Sequence, residues 1–302
     1  MTRWPLVWIV FLVSATLTAC GNSPAAAGTV VVTTNILGDV VRNVVGDQAT
    51  VNVLMQPNAD PHSFGVSAKD ATAMSSAGLI VYNGLGLEEG VTGNVETAAA
   101  EGVSTLPVGE SVDPLPYVDG ESAGNPDPHF WTDPRRIIGA VDAIEEAVIR
   151  DVDVVDRAVV TRNAERYREE LRGLDTWMVQ SFNGIPAERR KLVTNHHVLG
   201  YLAHRFDFTV LGAIVPSGTT LAAPSSKDLS SLVTAIQTAR VPAIFVDSSQ
   251  PERLANVLAD ETGMTVRIVP LYSESLSPPG TPGATYLDMM RANTNAIVSG
   301  LR

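Results

Sequence analysis

Residues 155–182 read VDRAVVTRNAERYREELRGLDTWMVQSF and form the longest helical pattern in the sequence. Asp156 is a residue type that caps helix N-termini, and Gly184 and Pro186 end the pattern. Charged residues cover one side of the predicted helix, whereas apolar residues recur at helical spacing on the other side. The apolar stripe consists of Tyr167, Leu171, Leu174 and Met178. This periodicity predicts one long, rigid helix within residues 155–185.

Short apolar runs alternate with helical patterns on both sides of this long helix. TVVVTT starts at Thr29 and KLVT starts at Lys191, and a helical pattern follows each of them. Strands that alternate with helices are typical of parallel βαβ units. We therefore predict an α/β fold with two βα lobes, residues 29–154 and 186–302, whose mainly parallel sheets are joined by the helix of residues 155–185. The alternative is a plain surface helix inside a single domain.

The two predicted lobes share a local motif. Ala-Lys-Asp at residues 68–70 and Ser-Lys-Asp at residues 226–228 both follow a serine and open a helical pattern. This parallel indicates two similar lobes. The chain has 302 residues and 45% hydrophobic content, which is sufficient for a buried core in each lobe.

The first 19 residues have the composition of a secretory signal peptide. Arg3 provides the positive charge, and the apolar stretch from Trp4 to Val13 is shorter than the roughly 20 residues that span a membrane. The leader ends before Cys20, the only cysteine of the chain, in a pattern that resembles the lipobox of bacterial lipoproteins. We therefore expect a lipid on Cys20, a flexible tether over residues 20–28 and a location on the extracytoplasmic face of the cell membrane. The alternative is an ordinary signal peptide followed by a chance cysteine.

The charge of the chain excludes some classes of partner. Asp and Glu total 33 and Lys and Arg total 21, which gives a formal net charge of −12. Phosphate contacts need clustered basic side chains, so the sequence predicts no binding to nucleic acid. An anionic lipid surface repels an acidic protein. We therefore expect contact with the membrane through the lipid anchor only.

Histidine is scarce in this chain and is regularly spaced. Among the five histidines, His62 and His129 each end an Asp-Pro-His tripeptide, and His196 and His197 follow 67 and 68 residues after His129. Neutral imidazole is the commonest metal ligand. These histidines, like Glu274 after the last predicted strand, lie in loops or at loop-to-helix junctions, where open α/β sheets bind ligands. The sequence therefore predicts a transition-metal site in the cleft, with ligands from both lobes.

Six short motifs follow one another along the chain in a distinctive order and spacing. They are NADPHSF at 58–64, DPHFWTDP at 127–134, HHVLGY at 196–201, PSSKD at 224–228, AIFVDS at 243–248 and YLDMMRAN at 286–293. Together they resemble the periplasmic or lipid-anchored solute-binding proteins of zinc and manganese ABC transporters, and the resemblance covers nearly everything from Val30 to Leu301. The fold that this resemblance implies has two lobes joined by one long rigid helix.

The resemblance also implies four metal ligands, each at a position that matches a ligand position of the family. Three are histidines that match the imidazole ligands of the family. The fourth is a carboxylate in the loop before a Gly/Pro-rich stretch and the terminal helix. Glu stands at this position, where Asp is commoner in the family. Binding through one oxygen and binding through both oxygens stay open. These ligands are His62, His129, His196 and Glu274.

Two alternatives to this ligand set stay open. His197 is adjacent to His196, which is preferred because the ligand of the family stands five residues before a tyrosine, here Tyr201. Asp247 is a different fourth ligand if Glu274 does not bind metal. Other acidic residues near the motifs are expected to form turns and caps or to orient the imidazoles. These are Asp60, Asp127 and Asp133.

Three imidazoles with one carboxylate favour Zn²⁺, which takes nitrogen ligands in a tetrahedral site. Mn²⁺ prefers more oxygen ligands and is the alternative metal. The resemblance implies capture of the ion outside the cytoplasm and delivery to an ABC permease and its ATPase, without enzymatic chemistry. We expect a monomer, with a metallochaperone as an additional partner to be tested. Imidazole protonation predicts weaker binding below the ordinary histidine pKa of ~6.5.

Two other function classes compete with metal transport. A surface adhesion lipoprotein would hold a structural metal that does not exchange. A secreted zinc hydrolase would keep an open position on the metal for an activated water. The chain contains neither a His-Glu-x-x-His motif nor a Gly-x-Ser-x-Gly motif, which disfavours a hydrolase.

Overall fold

The computed structural model describes residues 28–302, which form two α/β lobes linked by one long helix. The predicted leader, the lipid site at Cys20 and the tether up to residue 27 lie outside the described residues. Within residues 28–302, no helix is both long and apolar enough to cross a bilayer. The prediction of two parallel α/β lobes joined by a helix is confirmed.

The N-terminal lobe is built around four parallel strands. These are β1 (Thr29–Val32), β2 (Thr50–Val53), β3 (Leu79–Tyr82) and β4 (Ser104–Pro107). Their order in the sheet is β2-β1-β3-β4. The helices are α1 (Asn35–Val45), α2 (Ala68–Ser75), α3 (Thr92–Ala100) and α4 (Pro134–Asp151). The apolar runs of β1 and β3 are buried, as expected for central strands of a parallel sheet covered by helices.

The C-terminal lobe repeats this architecture. Its strands are β5 (Lys191–Thr194), β6 (Thr209–Ala213), β7 (Ala243–Asp247) and β8 (Arg267–Leu271). They pair in parallel in the order β6-β5-β7-β8, which is equivalent to the order in the first lobe. Its helices are α6 (Gly200–Phe206), α7 (Ser226–Ala239), α8 (Arg253–Glu261) and α9 (Tyr286–Leu301).

The motif shared by the two lobes has the same local structure in each. Ser67 and Asp70 form a reciprocal capping box at the start of α2, and Ser225 and Asp228 form another at the start of α7. In each box, the serine hydroxyl accepts a backbone N–H, and the aspartate accepts the backbone N–H of the serine. The sequence parallel therefore marks equivalent helix starts in two similar lobes.

The linking helix α5 (Arg157–Phe182) begins beside its predicted cap, because the carboxylate of Asp156 accepts the N–H of Ala158 at 2.8 Å. It packs against α1 and α4 of the first lobe and against α9 of the second. The whole predicted apolar stripe is buried. Val30 of β1 and Phe245 of β7 belong to the same hydrophobic core. Wide separation of the lobes would expose this shared core, so the fold restricts the motions that open the cleft.

The segment between β5 and α6 is a loop, and α6 begins at Gly200. The hydroxyl of Thr194 donates to the His196 carbonyl at 2.6 Å, and the N–H of His197 donates to the Ser217 carbonyl at 3.0 Å. These bonds hold the segment after β5 in a loop, which points the His196 side chain into the cleft.

Candidate metal centre

Four side chains from the two lobes converge in the cleft. One ligating atom from each of the four lies within 4.8 Å of the other three. All four residues are buried, with at most 2% of the surface of any one exposed. They are His62, His129, His196 and Glu274. The structure therefore brings together all four residues that the resemblance singled out.

Loops at the carboxyl ends of strands position these side chains. His62 lies in the loop after β2, and His129 lies in the loop between β4 and α4. His196 follows β5, and Glu274 follows β8 in the other lobe. Ligands of open α/β sheets bind at this edge. Each lobe thus contributes two of the four groups.

The distances between these groups suit one small ion. The Nε2 atoms of His62 and His129 are 3.4 Å apart. Oε1 of Glu274 lies 3.0 Å from Nε2 of His196 and 3.7 Å from Nε2 of His129. Oε2 of Glu274 lies 3.7 Å from Nε2 of His62. Tetrahedral Zn²⁺ with bonds of ~2.0–2.1 Å separates its ligand atoms by ~3.3 Å, which is close to these values.

His129 is oriented by a carboxylate in its own loop. Oδ1 of Asp127 accepts the backbone N–H of His129 at 2.9 Å and lies 2.8 Å from Nδ1 of its ring. The phenol oxygen of Tyr117 lies 3.2 Å from the same Nδ1. A proton on Nδ1 satisfies Asp127 and leaves the Nε2 lone pair facing the other three groups. Carboxylates commonly orient metal-binding imidazoles in this way.

Different contacts support the other two histidines. The N–H of His62 donates to Oδ1 of Asp60 at 2.9 Å, which closes a tight turn in the Asp-Pro-His tripeptide. The side-chain amide of Asn195 lies 3.1 Å from Nδ1 of His196. The prediction that Asp60 and Asp127 support the histidines is consistent with these contacts, and Asp133 caps α4 as expected.

The loop that carries Glu274 is held from both lobes. Within its own lobe, the N–H of Glu274 donates to Oδ2 of Asp247 at 3.1 Å. From the other lobe, the Asn35 amide donates to the Ser275 hydroxyl at 2.7 Å and accepts the N–H of Leu276 at 2.8 Å. These bonds place the carboxylate between the three imidazoles.

Burial changes the proton affinity of the site. It lowers the pKa of His62 to about 2, with a further contribution from the neighbouring His129 and His196. It also lowers the pKa of His196 to about 4, against the opposite effect of nearby aspartates. Burial raises the pKa of Glu274 to about 8, although His129 acts in the other direction. At neutral pH, the imidazoles of His62 and His196 are therefore uncharged bases, whereas Glu274 holds a proton that a bound cation would displace.

Several polar atoms at the site have no hydrogen-bond partner. Both carboxylate oxygens of Glu274 and Nε2 of His196 are buried without one among the described residues. The 3.0 Å approach of Oε1 to this Nε2 lacks the geometry of a hydrogen bond. Buried polar atoms without partners are costly and need an explanation. A cation bound between these atoms would satisfy them.

The two alternative ligands lie outside this cluster. The ring of His197 faces Tyr117, with their centroids 6.5 Å apart. Both oxygens of Asp247 are occupied, since Oδ1 accepts the N–H of Ser249 at 2.8 Å and Oδ2 accepts the N–H of Glu274 and the hydroxyl of Ser273. Asp247 therefore supports the neighbouring loop, and His197 packs beside the cleft.

Comparison with known proteins identifies the family. Residues 30–300 match the sequence model of the family described as zinc-uptake complex component A, periplasmic. The chain belongs to this zinc-uptake family. The manganese-binding lipoprotein MntA of Bacillus subtilis (strain 168) is 31% identical over 309 residues, which cover 99% of this chain and 100% of MntA.

Solved structures of similar proteins have the same architecture as this zinc-uptake family member. The periplasmic zinc-binding protein TroA from Treponema pallidum has a TM-score of 0.82 and 30% identity, and the match covers 91% of this chain and 99% of TroA. The Mn-bound periplasmic metal-binding protein from Candidatus Liberibacter asiaticus has a TM-score of 0.80 and 26% identity, with coverages of 91% and 99%. Members of the family are solute-binding proteins, so the prediction that the chain is not an enzyme is confirmed and a zinc hydrolase is excluded.

The sequence did not reveal all of the residues that shape the site. Asn35 holds the Glu274 loop, and the indole N–H of Trp131 donates to the Ser273 carbonyl at 2.9 Å. Each had a signal. Asn35 ends a polar Thr-Thr-Asn run at the carboxyl end of β1, and Trp131 lies two residues after His129. Their partners, however, are more than a hundred residues away in the sequence.

Proposed function

We propose that this protein captures Zn²⁺ outside the cytoplasm and delivers it to an ABC permease for import. The observation that carries this proposal is the convergence of three imidazoles and one carboxylate in a buried site between the lobes. A divalent cation satisfies groups that are otherwise buried without partners. We assign the ligand roles to His62, His129, His196 and Glu274.

The donor set favours zinc over manganese. Neutral imidazoles with a single carboxylate are typical ligands of four-coordinate Zn²⁺, whereas Mn²⁺ prefers more oxygen atoms. Distances of 3.0–3.7 Å between the donor atoms support a small four-coordinate ion. The names of similar proteins include both metals, so the choice rests on donor chemistry. Both oxygens of Glu274 face the imidazoles, and binding through both of them would favour Mn²⁺.

Capture involves binding and loop motion without covalent chemistry. The ion binds the Nε2 atoms of the histidines and displaces the proton of Glu274. Because His62 and His129 belong to one lobe while His196 and Glu274 belong to the other, the bound ion links the two lobes. The core shared around α5 restricts closure to small movements, mostly of loops at the cleft such as those that carry His129 and Glu274.

We further propose that a lipid on Cys20 holds the protein on the extracytoplasmic face of the cell membrane. Solute-binding proteins of ABC transporters work with a permease and an ATPase, which are therefore the partners of a monomeric binding protein. A metallochaperone that loads the site is a further partner to be tested. The proposed organisation is a signal peptide (1–19), a lipidated tether (20–28), an N-terminal lobe (29–154), a connecting helix (155–185) and a C-terminal lobe (186–302).

Metal binding and metal uptake together test this proposal. Protein that starts at Gly21 is emptied with a chelator, and its affinity for Zn²⁺ is measured by competition with a coloured chelator for wild type and Glu274→Ala. Almost any such site binds Zn²⁺ more tightly than Mn²⁺. Affinity alone therefore does not identify the cargo. Uptake of radioactive Zn²⁺ and Mn²⁺ is therefore measured in native cells that lack the gene and in cells complemented with either form.

We expect one equivalent of Zn²⁺ per chain, weaker binding in Glu274→Ala and loss of Zn²⁺ uptake in cells with this variant. Restoration of Mn²⁺ uptake alone by the wild-type gene would reject zinc as the cargo. Full Zn²⁺ affinity in Glu274→Ala would reject Glu274 as a ligand. Absence of any metal binding by the wild-type protein would reject the whole proposal.

A further inference from the structure

Asp60 uses its two carboxylate oxygens for different partners. Oδ1 accepts the backbone N–H of His62 at 2.9 Å, within the N-terminal lobe. Oδ2 accepts the hydroxyl of Thr220 at 2.6 Å and the side-chain amide of Gln250 at 3.3 Å, both from the C-terminal lobe. One side chain therefore joins the turn that holds a metal-site histidine to two loops on the opposite side of the cleft.

The partners of Asp60 also border a cavity beside the metal site. This cavity has a volume of about 120 Å³ and is lined by Thr220, Gln250 and His196, together with apolar residues at the start of α8. A water molecule takes up ~30 Å³ of liquid, so the cavity has room for roughly four waters. The partners of Asp60 thus border a cavity that extends to His196.

We propose that Asp60 latches the closed cleft and sets the rate at which the metal leaves. This inference rests on the proposed metal-binding function. While Oδ2 holds Thr220 and Gln250, the turn of His62 stays against the C-terminal lobe and the four ligands stay together. When these bonds break, the turn moves away from the opposite lobe, and water enters through the cavity and replaces the His196 imidazole on the ion.

The chemistry of these contacts supports a latch. Hydrogen bonds to a carboxylate are roughly twice as strong as bonds between neutral groups. Asp60 is half-buried, and the Thr220 hydroxyl bridges 160 residues of sequence to reach it. Two bonds on one oxygen make a contact that a small loop motion can release completely. Asp60 acts through His62 and is therefore a positioning residue rather than a ligand.

The rates at which Zn²⁺ leaves variants at Thr220 and Gln250 test the latch. Thr220→Val removes the hydroxyl and keeps the shape of the side chain, and Gln250→Leu removes the weaker of the two contacts. Thr219→Val is the matched control, because the Thr219 hydroxyl accepts only the nearby N–H of Leu221 and does not reach Asp60. Zn²⁺-loaded protein is mixed with excess chelator in a stopped-flow instrument, and association rates and the melting temperature of the metal-free protein are measured in parallel.

We expect Zn²⁺ to leave Thr220→Val roughly three to ten times faster than wild type, since most differences between related complexes lie in the dissociation rate. Gln250→Leu should show a smaller acceleration, and the double variant should be the fastest. The association rates should stay unchanged. Metal-free Thr220→Val should have the same melting temperature as metal-free Thr219→Val.

Two outcomes would overturn the latch. One is a wild-type release rate in Thr220→Val, and the other is an equal acceleration in Thr219→Val, which would assign the effect to general loosening of the loop. Wild-type protein that takes up no Zn²⁺ would overturn the proposed function, and the latch with it. The first two outcomes leave the proposed function intact, so the two failures can be distinguished.

Discussion

Asp247 holds the backbone of Glu274 from inside the C-terminal lobe, with 3.1 Å between Oδ2 and the nitrogen. The same oxygen accepts the N–H of Ser273 at 3.2 Å and its hydroxyl at 2.6 Å. Asp247 is 1% exposed, and its two carboxylate oxygens accept hydrogen bonds from the adjacent loops, at Ser249, Ser273 and Glu274. The position of the Glu274 carboxylate thus depends on a second carboxylate that lies outside the cluster of four side chains.

Asp247→Asn should weaken Zn²⁺ binding by roughly 10–100-fold, the usual cost of losing an outer partner of a metal ligand. The new amide N–H₂ would face backbone N–H groups of Ser249 or of Ser273 and Glu274, which can only donate, so the adjacent loop would shift. Competition titration against a chelator measures the affinity. Asp228→Asn is a suitable control, because Asp228 caps α7 at the surface and should leave the affinity unchanged. Wild-type affinity in Asp247→Asn would contradict this role.

Substitution of the two adjacent histidines should separate a ligand from its neighbour. His196→Ala removes a donor atom and should weaken binding by more than the roughly 10–100-fold cost of losing an outer partner. His197→Ala should keep nearly full affinity, because this ring lies against Tyr117 outside the cluster. Calorimetric titration of both variants with Zn²⁺ gives the comparison. Greater loss in His197→Ala would reverse the assignment.

Binding should depend on pH through Glu274 over most of the accessible range. In the metal-free protein, the pKa of Glu274 is about 8 and that of His196 is about 4. Between these values, the carboxyl group is protonated and the ion must displace that proton, so affinity should fall about tenfold per pH unit from pH 8 downward. The lowered pKa values of His62 and His196 mean that these two imidazoles contribute no break at the ordinary histidine pKa of ~6.5.

Proton release gives a direct measurement of this linkage. Zn²⁺ titrations in buffers of different ionisation enthalpy at pH 7 should report close to one proton released per ion. Glu274→Gln provides the control, since its amide has no proton to lose in this pH range. This variant should bind Zn²⁺ more weakly and should release few protons on binding. Equal proton release in wild type and Glu274→Gln would contradict the assignment of the proton to Glu274.

The loop of His129 should be sensitive to a buried group that does not touch it. The carboxylate of Glu88 accepts the N–H of Asn83 at 2.7 Å, and the Asn83 amide donates to the Pro128 carbonyl at 3.0 Å. Glu88→Gln turns an amide N–H₂ toward the backbone N–H of Asn83 or of Gly84 and should lower the free energy of unfolding by about 1–3 kcal/mol. Denaturant titration of the metal-free protein measures this change.

Asn83→Ala should weaken Zn²⁺ binding by less than the roughly 10–100-fold effect of losing a direct partner of a ligand, because it acts through the backbone of Pro128. Asn256→Ala, on the exposed side of α8, is the matched control and should have no effect. Unchanged affinity in Asn83→Ala would show that Pro128 keeps its place without this bond.

Local patterns account for what the sequence predicted correctly. The Asp156 cap and the apolar stripe identified α5, and the serine–aspartate pairs identified the starts of α2 and α7, because partners within four residues determine these features. Scarce histidines in Asp-Pro-His tripeptides indicated His62 and His129, and the resemblance to a known family implied His196 and Glu274 as further candidates. A residue type and its immediate neighbours are visible in one sequence, so these parts of the fold and the site could be predicted.

Contacts between distant segments account for what the sequence did not reveal. Asn35 and Ser275 are 240 residues apart, and Asp60 and Thr220 are 160 residues apart, so no local pattern pairs them. The shifted pKa values of His62 and Glu274 have the same origin, since they follow from burial that only the assembled cleft produces. Tertiary packing therefore supplied the chemistry of the site, although its residues could be named beforehand.

The core that runs through α5 joins both lobes without any contribution from the metal site. Its members extend from Val30 in the first sheet to Leu301 in the last helix. A protein without bound metal is therefore expected to keep its architecture. Under the proposed function, each molecule can then serve many rounds of loading and unloading without refolding, so a small number of copies can sustain a continuous supply of metal.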